Sequence, residues 1–243
     1  MWSGPTETCG PSVCRRPFAV NYFAHGVRFV EDPYRLAGTA LPDWLAVVRR
    51  RVRIRQRHLS RCSAGPGTPL QRLTEGVRQH LDDDDWFHRT EAFLVVSSRL
   101  GRIAAEFVDA HMPDPDRVRC GFLGHLLTEM LLDSVLIERF PQRLEEYYRA
   151  LRTVDPCLIR DAFMHWGLPP VFELPAWIPI FVSEAILYDY LEPHTLLYRI
   201  NQVMRRVRQP KLPGGFVEIL QRGRLIVADQ LDRLLPASRW GEA

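Results

Sequence analysis

The sequence predicts an all-α protein built as a single-domain helical bundle, and three observations carry that expectation. Apolar residues recur at helical spacing over most of the chain. Pro, Gly and short polar side chains bracket those stretches as helix boundaries do. Strand-like alternation is confined to residues 52–57. The 243 residues, 46% hydrophobic and 25% charged, supply a sizeable core and exclude disorder, collagen and coiled coil. With no long Pro/Ser-rich linker, residues 19–238 are expected to form one domain. Residues 1–18, rich in turn formers and lacking a periodic apolar face, are expected to be a disordered N-terminal extension.

The first helix falls within RLAGTALPDWLAVVRRR, residues 35–51, where Gly38 and Pro42 come early and arginines come late, at the negative end of the helix dipole. SRCSAGPGTP makes residues 60–69 a loop. A second helix is predicted over 70–85 and a third over 90–112, with Thr90 as its N-cap. The turn PDPD at 113–116 introduces a fourth, over 117–140, ended by Pro141. Residues 141–154 and 157–166 continue the helical theme, and LPPVFELPAWIP, 168–179, is expected to be an irregular connection. Two closing helices follow, one over 180–208 bent at Pro193 and one over 216–235 after Pro213-Gly214-Gly215.

Net charge is +3, too mild to announce nucleic acid, and almost all the positive charge is arginine, Lys211 being the one lysine. Six arginines between Arg49 and Arg57 could meet phosphate or an acidic partner, although a solvated basic surface is the simpler reading, and His58 follows them. Cys9, Cys14, Cys62, Cys120 and Cys157 are odd in number and form no CxxC pair, which argues against a disulfide framework or a zinc knuckle. The amino terminus lacks the basic and apolar segments of a signal peptide, and charged residues interrupt each apolar stretch. The expectation is a cytoplasmic protein without a membrane span. Phosphate-loop, nucleophile-elbow and di-iron ExxH motifs are all missing.

Ionisable residues supply the functional signal. In GFLGHLLTEMLLDSVLIERF the predicted fourth helix is apolar around nearly its whole circumference, so it should be buried. Its exceptions, His125, Glu129 and Asp133, recur every four residues on one face. His80, Asp84 and His88 repeat the device if the second helix extends that far. Buried ionisable groups are costly unless paired or bound to metal, and imidazole with carboxylate is a ligand set for Zn, Mn or Fe. Helical bundles build such sites from facing helices. A hydrogen-bonded polar network or, for residues 82–85, a solvated acidic helix end explains either stripe alone; two stripes together favour metal.

The segment Asn21-Tyr22-Phe23-Ala24-His25, followed by Ala37-Gly38-Thr39-Ala40-Leu41-Pro42-Asp43-Trp44, resembles the opening of the acyl carrier protein phosphodiesterases. That family begins N-[FY]-[LF]-A-H and continues with L-x-G-N-x-x-x-D-[FW]. The Gly76-Val77 to His88 stretch is similar to its G-[IV]-x-x-H-x-x-[IV]-D-x-x-[TF]-D segment, and residues 129–136 are similar to its D-x-x-x-D-H-F-L helix. The resemblance implies a helical fold related to the HD-type metal-dependent phosphohydrolases, a divalent cation such as manganese, with iron or zinc as alternatives, and release of phosphopantetheine from an acidic carrier protein. It makes His25, Asp43, His80 and Asp84 candidate metal-centre positions, with Glu129 and Asp133 next. The chain departs from the family at Glu129 in place of Asp, Ser134 in place of His and His88 in place of a carboxylate. His125, one turn before Glu129, can replace the missing imidazole.

The expectation is therefore a metal-dependent phosphoric ester hydrolase. Its ion is held by His25, Asp43, His80, Asp84 and His125, and Asp43, Glu129 and Asp133 are its catalytic carboxylates, the latter two orienting water or binding a second ion. Its partners are a phosphorylated substrate and, through the arginine run, an acidic carrier protein. The alternative is a non-catalytic helical protein that keeps the fold around a buried His/carboxylate network. Nucleic-acid binding ranks last, with no base-reading motif behind it.

Overall fold

Prolines and capping side chains start most of the helices that carry the fold. The computed structural model describes residues 21–240, and over them the chain is all-helical with no strand. Helix α1 (Tyr22–Gly26) is short; α2 (Pro33–Val48) starts after Asp32, whose carboxylate accepts from the backbone N–H of Arg35 at 3.2 Å. A short α3 (Gln56–Leu59) leads to α4 (Pro69–Phe87), capped by Thr68, and α5 (Glu91–His111) is capped by Thr90 as expected, its hydroxyl accepting from Phe93 at 3.2 Å. There follow α6 (Cys120–Arg139), α7 (Pro141–Leu151), α8 (Pro156–His165), α9 (Leu174–Glu184), α10 (Pro193–Arg206), α11 (Val217–Asp229), α12 (Leu231–Leu234) and α13 (Ala237–Trp240). Proline at the first helical position costs no hydrogen bond, because that N–H has no intrahelical acceptor. The expected extension over residues 1–18, the first two residues of the expected domain, Cys9 and Cys14 lie outside the described residues; Cys62, Cys120 and Cys157 are free thiols.

The interior is arranged around α6, which contacts α1, α5, α7 and α11. Leu123, Leu126, Leu127, Met130, Leu131, Leu132, Leu136 and Ile137 are all buried, so neighbours surround this helix on every side. By length and apolarity alone α6 could cross a membrane, and the expectation that charge interrupts every such stretch is corrected here; in the fold it is a core helix, mostly buried by the rest of the chain. Two helix pairs approach closely enough to demand glycine. A Cβ on Gly76 would collide with the carbonyl of Arg35, and one on Gly38 with the carbonyl of Leu73, which locks α2 against α4. A Cβ on Gly124 would likewise strike the carbonyl of Ser97, which sets α5 against α6.

Four sequence expectations are corrected. Residues 52–55 form no strand, and 56–59 begin α3; the alternation instead seats Ile54 in the core between exposed arginines. The expected connection over 168–179 contains the first half of α9, because Pro175 falls in the first turn, where proline is tolerated. The expected helix over 180–208 is broken rather than bent. Ala185 takes the left-handed conformation, φ 47°, a 3-10 turn covers Ile186–Tyr190, and Pro193 opens α10 after an extended Glu192. The expected final helix over 216–235 is two helices, α11 and α12, meeting at Gln230.

Candidate metal centre

His25 lies in α1, and the side chain of Asp133 is what fixes that turn. Both Asp133 oxygens accept backbone N–H bonds, from Phe23 at 2.9 Å and Ala24 at 2.7 Å, so a carboxylate in the middle of α6 holds a turn 110 and 109 positions earlier in the chain. Burial pushes the Asp133 carboxyl up to about 7 despite those two bonds. With both oxygens engaged, Asp133 acts on the site through the backbone it positions.

His80 projects from α4 against α2. Its Nδ1 lies 2.7 Å from the carbonyl oxygen of Thr39, which can only accept, so Nδ1 carries the ring proton. Burial, and then the charge of His25, pull the His80 imidazole down to about 4, so Nε2 presents a lone pair. One turn later on the same face, Asp84 places Oδ2 3.6 Å from that nitrogen. Two acceptors thus face one another in a buried site.

His25 completes the cluster. Its Nε2 is 3.5 Å from Asp84 Oδ1, its Nδ1 is 3.8 Å from Asp83 Oδ2, and its ring lies 4.2 Å from that of His80. Burial alone would strip its proton, but the Asp83 and Asp84 carboxylates outweigh burial and raise the ring to about 10. Asp84 moves the other way: against burial, the two imidazoles hold its carboxyl well below the ordinary range. One atom each from His25, His80 and Asp84 lie within 4.8 Å of one another, a spacing that fits a shared cation. His25 Nε2 and Asp84 Oδ1 face one another at 3.5 Å as an ion pair, and neither makes a hydrogen bond to any other group among the described residues.

Asp43, in α2 directly after Pro42, is buried beside this group, and its Oδ2 has no hydrogen-bond partner among the described residues. Burial first, and then the charges of Asp84, Glu129 and Asp133 against the opposing pull of His25, raise its carboxyl well above the carboxylate range. A cation nearby would reverse that balance.

A second cluster contains the remaining stripe. Glu129 Oε1 is 2.8 Å from His88 Nε2 and 3.0 Å from His125 Nε2, and the two rings lie 4.6 Å apart. His88 is the C-cap of α4, so the helix does reach it. The paired imidazoles overcome complete burial and lower the Glu129 carboxyl, while Glu129 raises His88 against the effect of burial. This clasp closes with hydrogen bonds of ordinary length and so differs from the His80–Asp84 pair.

The structure therefore gathers the predicted residues as two neighbouring groups. His25, His80 and Asp84 meet, with Asp43 electrostatically coupled to them; His125 joins His88 and Glu129 in place of the first group. Ser134 faces away and donates to the carbonyl of Tyr190 at 2.7 Å. Asp83 was missed as part of an acidic run, yet it stands three residues after His80 and Asp84 four, so both share the His80 face. A narrow cleft of about 20 Å³, room for about one water, reaches His25 and Asp83 between Trp86, Leu132 and Leu235. Arg28 pairs with Asp83 at 3.2 Å beside it. The six arginines of residues 49–57 are exposed, and His58 accepts a bond from the backbone of Arg55. No family model, curated protein or solved structure matches the chain.

Proposed function

We propose that the chain is a divalent-cation-dependent hydrolase of phosphoric esters, with phosphodiesters as the substrate class and manganese, iron or zinc as the ion. The observation that carries this reading is the pair of facing acceptors, His80 Nε2 and Asp84 Oδ2, 3.6 Å apart in a buried site. A neutral imidazole with Nδ1–H on a backbone carbonyl is oriented as metal-ligating histidines are, with the other nitrogen bare. His25, His80 and Asp84 would hold the ion, and Asp43 would complete the set. A divalent ion in such a site supplies Lewis acidity toward a phosphoryl oxygen and makes water a better acid.

The chain's own groups account for the remaining chemistry. Asp43 holds a proton while no cation is near; beside a bound ion it would be a carboxylate, able to accept a proton from water. Arg28, paired with the cleft residue Asp83, is the nearest arginine the reading offers to a phosphoryl group. Asp133 fixes the turn that aims His25. Glu129, held by His88 and His125, borders the site with a carboxylate oxygen, Oε2, that has no hydrogen-bond partner among the described residues. The similarity to acyl carrier protein phosphodiesterases and their HD-type relatives points to an acidic carrier protein in the cytoplasm as the substrate's bearer, and the exposed arginines of 49–57 offer it a surface.

The test is metal analysis of the purified protein by mass spectrometry, with turnover of bis(p-nitrophenyl) phosphate measured before and after reconstitution with Mn(II), Fe(II) or Zn(II). The expected outcome is a bound ion and ion-dependent turnover, both lost in His80→Ala. A folded protein that takes up none of the three ions and stays inert would overturn the reading. A second reading, a non-catalytic helical protein, is favoured by the His88–Glu129–His125 clasp, whose hydrogen bonds need no ion.

A further inference from the structure

A second cavity, sharing no lining residue with the His25 cleft, opens between α9, α10 and the core, with a volume of about 190 Å³. Val47, Met130, Phe181 and the ring of Trp177 supply apolar wall, and the Tyr22 ring packs on Phe181 at 5.0 Å between centroids, so the wall is already formed. The polar groups are concentrated along one side. Arg199, Gln202 and Arg206 lie on one face of α10, at helical spacing, with Glu184 beside them.

Two of these groups lack a partner. Arg199 is occupied: its Nε is 2.6 Å from Asp189 and its Nη1 3.9 Å from Glu184. Arg206 is exposed at the mouth, its guanidinium without an ion pair among the described residues, while the buried indole N–H of Trp177 has no acceptor among them. A buried donor without an acceptor is costly, and an apolar cavity bearing a few converging polar groups is the usual form of a small-molecule site. We propose that this cavity binds an aliphatic monocarboxylate, its chain against Met130 and Phe181 and its head group between the Arg206 guanidinium and the Trp177 N–H. One uncompensated cation suits one negative charge, and Glu184 on the same rim repels a second. The site is independent of the ion.

Calorimetric titration of the full chain with decanoate, kept below the concentration at which it forms micelles, tests this. Saturable binding is expected, weakened about tenfold or more in Arg206→Met and again in Trp177→Phe, which keeps an aromatic wall but removes the donor. Decanol should bind more weakly than decanoate, and dodecyl phosphate, a dianion, no better. His80→Ala should bind decanoate as the parent does, which separates this site from the ion cluster. Absence of saturable heat in the parent chain, equal affinity for decanol, or folded Arg206→Met and Trp177→Phe proteins that bind unchanged would each overturn the proposal.

Discussion

His80 and Asp133 show how much a single side chain decides in this protein. The bond from His80 to the Thr39 carbonyl selects the tautomer, and the tautomer leaves a bare nitrogen pointing at Asp84. Asp133 does comparable work without entering the cluster. In Asp133→Asn one of the two oxygens becomes an NH2 group facing a backbone N–H, so a buried donor loses its acceptor. The expected cost is about 1–3 kcal/mol in chemical denaturation, accompanied by weaker ion uptake because the turn carrying His25 loosens. A variant of unchanged stability would show that the two bonds contribute nothing. Ion binding should also displace protons, since the ion-free protein keeps His25 protonated up to about 10. Calorimetry of Mn(II) binding near neutral pH, in buffers of different ionisation enthalpy, should read about two protons released per ion, one from His25 and one from Asp43; buffer-independent heats would contradict this.

At the scale of elements, the α2–α4 contact sets the distance between Thr39 and Asp43 on one helix and His80 and Asp84 on the other. Gly76→Ala must push α4 away from the Arg35 carbonyl, which is backbone and cannot step aside. The expected loss is about 1–3 kcal/mol, with ion affinity falling as well because Thr39 and His80 move apart. Gly121→Ala is the control, since nothing lies within 4 Å of its added methyl and alanine favours a helix. Equal melting temperatures for the two variants would refute the close-contact argument. The sequence makes the helices legible where caps are strong, as at Thr90, and misleads where proline reads as a breaker. Pro175 and Pro193 both begin helices, and only the tertiary path distinguishes a starting proline from an internal one. The two histidine stripes were legible from spacing alone. Their division into an open cluster and a closed clasp was not, because it depends on which helix faces which, and four-residue periodicity within one helix is silent about that. Asp83 was hidden for a different reason: a run of aspartates looks solvated, and only the helical register separates its inner members from its outer ones.

For the whole molecule, the concentration of buried ionisable groups links stability to both pH and metal. His25 titrates at about 10 in the ion-free fold against 6.5 ordinarily, so its contribution is complete below 6.5 and is lost as pH rises through 10. Asp133, raised to about 7 from 3.8, contributes in the same sense, losing its stabilising protonated form as pH rises toward neutrality. His80, lowered to about 4, has already surrendered its proton by then. Chelator-treated protein is therefore expected to melt at progressively lower temperature from about pH 7 to about pH 9. Protein saturated with Mn(II) should melt higher and with a flatter pH dependence, since the ion takes over from the proton and binds only the native state. Identical melting curves with and without chelator would favour the non-catalytic reading.

The bond between Asp133 and the backbone at Phe23 and Ala24 also has a consequence for how the protein comes into being. All three donors of the open cluster are translated before residue 85, yet the clamp that seats the first of them is made some fifty residues later. A growing polypeptide stalled before α6 would expose those donors to cellular metal without the cage that orders them. On the proposed reading, loading would await the later half of synthesis, and a nascent chain arrested ahead of α6 should take up metal no better than an unstructured peptide.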